Sequence, residues 1–160
     1  MASQTTETRK KVLIAMDGSE NAEHAFNWYT EFCHKAGNHV ILCHVADYKG
    51  LVHTPVMSLD PNLVMRMISE EENRIKLLLA KFKEMIKRSE MTGEIIRAAG
   101  ETGEAIVRTA KEQEVDYIVT GSRGLGTIRR TFVGSTSDYI LHHSHIPVMI
   151  VQMPHTHHKS

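Results

Sequence analysis

Apolar positions along the chain fall into five short runs, and amphipathic stretches separate them. "KVLIAMD" at residues 11–17 is nearly continuous in apolar character and ends in an acid before Gly18-Ser19, which predicts a strand buried on both faces. From Glu20 to Ala36 the residues Ala22, Ala25, Phe26, Tyr29 and Phe32 recur at helical spacing, and Gly37-Asn38 supplies a stop. "HVILCHV" at 39–45 predicts a second buried strand. Residues 46–62 hold Gly50, Pro55 and Pro61 and read as a long connection.

A long helix is predicted from about Pro61, where proline suits the first turn, to about Ser89. Its inward stripe is Val64, Met67, Ile68, Ile75, Leu78, Leu79, Phe82 and Ile86, with Glu70–Arg74, Glu72–Lys76 and Glu84–Arg88 as exposed i,i+4 pairs. A third strand at 93–100, a helix at 103–114, a fourth strand "DYIVTG", a short helix "STSDYILHHS" and a fifth strand "PVMIV" at 147–151 complete the pattern. Strands alternating with helices specify an α/β domain with a mainly parallel sheet and helices on both faces. Ligands of such sheets bind beyond the carboxyl ends of the strands, where strand order reverses.

Composition narrows the function more than the fold. The chain has 160 residues, Lys+Arg and Asp+Glu both total 19, and the sequence pI is about 7.2. That length suits one domain, and a balanced charge gives no overall positive field for nonspecific nucleic-acid binding. Cys33 and Cys43, one in a helical and one in a strand pattern, read as reduced thiols rather than a disulfide or metal framework. The polar start "MASQTTETRK" carries no signal peptide, and no run is long enough to span a bilayer, so a cytoplasmic protein is expected.

Against this neutral background "GSRGLGTIRRTFVGSTS", residues 121–137, has three arginines, four glycines and no carboxylate. Glycines at 121, 124 and 134 free the backbone for positive φ and for close approach of a ligand to peptide N–H groups. Ser135 stands as the expected N-cap of the last helix, with Thr136 and Ser137 in its first turn and Asp138 completing a capping-box-like pair. A helix start of this kind favours phosphate, and Arg123, Arg129 and Arg130 are candidate partners for it. Asp17-Gly18-Ser19 ends the first strand similarly; Asp17 there reads either as a ligand contact or as a turn former. His44 reads as a satisfied interior histidine. His142, His143 and His145 read as surface groups at a helix end, and His155, His157 and His158 as a polar tail rather than a specific metal site.

The spacing Gly121, two residues, Gly124, nine residues, Gly134-Ser135 resembles the ATP-binding signature G-x2-G-x9-G-[ST] of the universal stress protein family. The resemblance extends through "KVLIAMDGSENA", "VILCHV", "VDYIVTGSRG" and "STSDYILHHSHIPVMIV". It implies a domain over residues 10–152, between flexible segments at 1–9 and 153–160, with a five-stranded parallel sheet in the order 3-2-1-4-5. It further implies ATP as ligand: Ala15, Met16, Asp17 and Val45 at the adenosine end, Gly121, Arg123 and Gly124 around the ribose and first phosphates, and Gly134, Ser135 and Thr136 at the distal phosphates. Mg or Mn would accompany the phosphates with water ligands. A homodimer through the Pro147–Val151 edge strand is also implied, since pairing removes an exposed edge. No nucleophile–base pair is evident. The favoured function is an ATP-binding stress-response regulator; the alternatives are a slow ATPase or nucleotide-dependent enzyme, and a nucleotide-independent interaction module. A pyrophosphatase-loop enzyme is disfavoured because "MDGSEN" replaces its serine-rich loop.

Overall fold

The computed structural model describes residues 8–46, 48, 60–122 and 134–154. The elements run β1 (Lys11–Ala15), α1 (Glu20–Phe32), β2 (His39–Ala46), α2 (Pro61–Arg88), β3 (Thr92–Ala99), α3 (Thr102–Glu112), β4 (Tyr117–Ser122), α4 (Ser135–His143) and β5 (Val148–Gln152). All strand pairs are parallel and the sheet order is β3-β2-β1-β4-β5, as expected. β1 is central: Val12 pairs with Val40 of β2 on one side and Tyr117 of β4 on the other.

A central parallel strand must bury both faces, which is why β1 reads as an unbroken apolar run. Val12 and Ile14 face one layer with Ala25, Phe26 and Tyr29 of α1 and Phe82 and Ile86 of α2. Leu13 and Ala15 face the opposite layer with Ala105, Ile106 and Ala110 of α3 and Ile140 of α4. Helices therefore cover both faces. Order reverses between β2 and β4 on either side of β1, so a crevice opens at the β1 and β4 carboxyl ends.

Several local expectations are corrected. α1 ends at Phe32 rather than Ala36, because the Cys33 and His34 N–H groups both turn onto the Tyr29 carbonyl at 2.9 Å. Phe32 faces outward and packs on the Trp28 ring at 5.1 Å. In α2 the buried residues are Ile75, Phe82 and Ile86, with Leu78 and Leu79 packed against them. Ile68 is exposed. Cys33 and Cys43 are both free thiols.

Candidate functional site

Beyond the last residue of β1, the Met16 N–H extends the ladder by donating to the Cys43 carbonyl at 2.8 Å. Asp17 then turns the chain away: its Oδ1 accepts from the Ser19 N–H at 2.8 Å. Gly18 has φ of 84°, a conformation that favours glycine, and it sits against the Leu78 side chain of α2, whose Cδ1 would lie 2.9 Å from a Cβ there. Ser19 is the N-cap of α1 and its Oγ accepts from the Ala22 N–H at 3.2 Å. Asp17 is thus a turn former, and it also lines a cavity.

That cavity, of about 610 Å³, lies at the crevice. Its size is within the range of about 300–1,000 Å³ usual for small-molecule sites. Ala15, Met16 and Asp17 form its β1 side, Val45 its β2 side, Gly121 its β4 side, and Gly134, Ser135 and Thr136 its α4 side. Every candidate contact that falls within the described residues therefore meets in one space. Arg123 and Gly124, with Arg129 and Arg130, lie outside the described residues.

Neither of the two described glycines of the signature has the positive φ expected of it. A Cβ at Gly121 would sit 2.3 Å from the Asn21 carbonyl oxygen, a backbone atom, so this glycine lets the start of α1 close onto β4. A Cβ at Gly134 would meet nothing within 4 Å. Gly134, not Ser135, is the N-cap of α4; its φ of −49° and ψ of 154° are extended and no side chain caps the helix. The expected capping box is absent because Asp138 turns its carboxylate to His142, 3.3 Å away, while the Asp138 N–H donates to the Gly134 carbonyl at 2.8 Å. Ser137 supplies the anchor instead. Its buried hydroxyl donates to the Gly121 carbonyl at 2.9 Å and fixes the first turn of α4 to the end of β4. The N–H groups of Ser135 and Thr136 meet no acceptor among the described residues, as befits the first turn of an uncapped helix.

The sequence reading missed four lining residues of note: Thr102 and Ile106 on α3, His44 on β2 and Arg74 on α2. Thr102 follows the carboxyl end of β3, a position that the alternation of elements alone marks as crevice-facing. His44 is 2 % exposed and only half satisfied. Its Nδ1 is 2.8 Å from the Met16 carbonyl, which makes Nδ1 the donor, and Nε2 is buried without a partner.

Arg74 was expected to pair with Glu70 but forks onto Glu71, with Nε to Oε2 at 3.0 Å and Nη2 to Oε1 at 2.8 Å. The Arg74 fork holds the Glu71 carboxyl below its ordinary range. Such a half-exposed pair three residues apart contributes about 0.2–0.5 kcal/mol. Glu72 likewise ignores Lys76. Arg97 of β3 donates to it through Nη1 at 3.0 Å and Nη2 at 2.6 Å, and the Tyr48 hydroxyl donates as well. These bonds, that of Arg97 first, hold the Glu72 carboxyl at about 2. Glu84–Arg88 forms as expected, at 3.2 Å.

Among the described residues no cluster of His, Cys, Asp and Glu could hold a metal ion, and no helix is long and apolar enough to cross a membrane. A family model for the universal stress protein family matches residues 8–152. The chain belongs to this family. Among universal stress proteins, a putative member from Staphylococcus haemolyticus is 30 % identical over 147 residues, covering 91 % of this chain and 86 % of its own. Universal stress protein MJ0577 of Methanocaldococcus jannaschii is 29 % identical over 153 residues, covering 89 % and 94 %. The solved structure of hypothetical protein MJ0577 matches with a TM-score of 0.69 at 26 % identity, over 92 % of this chain and 98 % of that one. An Arabidopsis thaliana universal stress protein, solved with AMP bound, shares the fold with a TM-score of 0.67 at 22 % identity, over 91 % and 92 %.

Proposed function

We propose that this universal stress protein binds ATP in the crevice and serves as a nucleotide-dependent stress-response regulator. One observation carries the reading: the uncapped start of α4 opens onto a cavity whose other walls are the ends of β1 and β2. The apolar walls of Ala15, Val45 and Ile106 suit a flat base. Free N–H groups of Ser135 and Thr136, at the positive end of the helix dipole, suit the phosphates. Gly121, Arg123 and Gly124 take the ribose and first phosphates between them. The solved relative with AMP shows the same fold accommodating an adenine nucleotide.

Mg or Mn enters with the phosphates and keeps water ligands. Asp17 is the one Asp or Glu among the described lining residues, and its Oδ1 is already bonded to Ser19. A single carboxylate in the described lining favours binding over turnover, with any hydrolysis slow. β5 is an edge strand whose Val148, Met149 and Ile150 are only half-buried, and this supports a homodimer through Pro147–Val151. Light scattering that gives 18.1 kDa at every working concentration would rule the dimer out.

Ser135→Pro tests the site with little risk to the fold. Proline is favoured at the first helical position, and Gly134 already has the extended backbone that a residue before proline needs. The substitution deletes one free N–H and one hydroxyl. Calorimetry on nucleotide-stripped protein should show ATP binding by wild type and a loss of about tenfold or more in Ser135→Pro, with unchanged circular dichroism. Equal ATP affinity in the two proteins would refute phosphate binding at α4. An absence of ATP binding in wild type would favour the nucleotide-independent interaction module.

A further inference from the structure

Arg74 is the one Lys or Arg among the described residues lining the cavity, and nothing in the glycine-rich signature predicts it. α2 places it there. The helix runs back along the sheet with Leu78 against Gly18, and Arg74 lies one turn nearer the amino end of α2, among the residues that line the cavity.

Its only bonds among the described residues are the two to Glu71, made by Nε and Nη2, so Nη1 is uncommitted. The Arg74 side chain is 56 % exposed and the Glu71 side chain 21 %. Both groups thus keep contact with solvent, and the fork can open without stranding a buried charge. His44 adds a second unspent group to the lining, the buried Nε2 that no donor meets.

Resting on the nucleotide reading above, we infer that Arg74 is an additional phosphate-binding residue of this cleft, exchanging Glu71 for the nucleotide's phosphates when ligand enters. A polyphosphate carries several negative charges and presents pairs of oxygens that match the guanidinium fork, whereas Glu71 offers one charge. Glu71 therefore acts as a competing anion. It keeps Arg74 oriented in the free protein and lowers its availability to ligand.

The test is calorimetry of ATP and of adenosine with wild type, Arg74→Ala, Arg74→Lys and Glu71→Gln, all on stripped protein. Arg74→Ala should weaken ATP by about tenfold, Arg74→Lys by less, and Glu71→Gln should tighten ATP by about two- to threefold. Adenosine affinity should stay within about twofold in all three, because it lacks the group that Arg74 recognises. Unchanged ATP affinity in Arg74→Ala would overturn the inference while leaving the nucleotide reading in place. An equal loss for ATP and adenosine would also overturn it and assign Arg74 to the base or ribose. A wild type that binds neither ligand would remove the nucleotide reading and this inference with it.

Discussion

Two helices begin at the same crevice, and they begin differently. α1 starts closed: Asp17 takes the Ser19 N–H, Ser19 takes the Ala22 N–H, and Gly121 lacks a Cβ so that the Asn21 carbonyl can press against β4. α4 starts open: its N-cap is a glycine with no side chain to spend, and its one anchoring hydroxyl, Ser137, bonds to β4 instead of to the helix's own N–H groups. The same physical liability, a row of unpaired donors, is met by the protein at one start and left exposed to the cavity at the other. Glycine is a common N-cap at little cost in stability, but unlike Ser, Asp or Asn it brings no side-chain acceptor and so leaves the N–H groups open. The open start at Gly134 is where the proposed phosphate site lies.

The largest effect should come from the point where the two starts meet. Gly121→Ala would place a Cβ against the Asn21 backbone and should cost about 1–3 kcal/mol, read as a lowered melting temperature. Gly134→Ala meets open space and should melt within a few degrees of wild type. A benign Gly121→Ala would break the claim that this glycine serves packing.

Next in size is the contrast between caps. Ser19→Ala removes a bonded cap and should destabilise by about 1 kcal/mol in urea unfolding. Ser135→Ala removes a hydroxyl that caps nothing and should stay within about 0.5 kcal/mol. Equal losses would mean that α4 is capped after all.

Much of this was legible in the sequence because it is local. Five apolar runs gave the strands, and Asp17-Gly18-Ser19 and Gly134-Ser135-Thr136 follow strand ends or precede a helix in ways that spacing reveals. What was illegible depends on partners distant along the chain. Glu72 is claimed by Arg97 and Tyr48 rather than by Lys76, because the fold brings Arg97 of β3 and the Tyr48 hydroxyl to α2. Arg74 reads as an ordinary solvated helix residue until Leu78 docks on Gly18 and fixes the register of α2 over the cleft. The N-cap of α4 falls one residue early because Ser137, not Ser135, ties the turn to β4. His44 was legible as buried, but which of its nitrogens lacks a partner follows from the position of the Met16 carbonyl.

The smallest effect sharpens the contrast between fixed and exchangeable groups on the α2 wall. Glu72 is clamped, with its carboxyl at about 2, so the folded value is depressed below the ordinary 4.5. Its contribution to stability is therefore full above the unfolded value and is lost progressively as pH falls from about 4.5 to about 2. Carboxyl NMR should show the Glu72 resonance unchanged from pH 7 to about 3. A midpoint near 4.5 would mean that the Arg97 and Tyr48 clamp does not persist in solution.

The most direct measurement of the central claim is backbone amide NMR of the stripped protein, titrated separately with ATP and with adenosine. The difference between the two titrations isolates the phosphates. It should be concentrated at the Ser135 and Thr136 amides, with the Ser19 and Ala22 amides, already bonded to side chains, showing little of it. A phosphate-dependent shift centred on the start of α1, or none at either helix, would contradict the account.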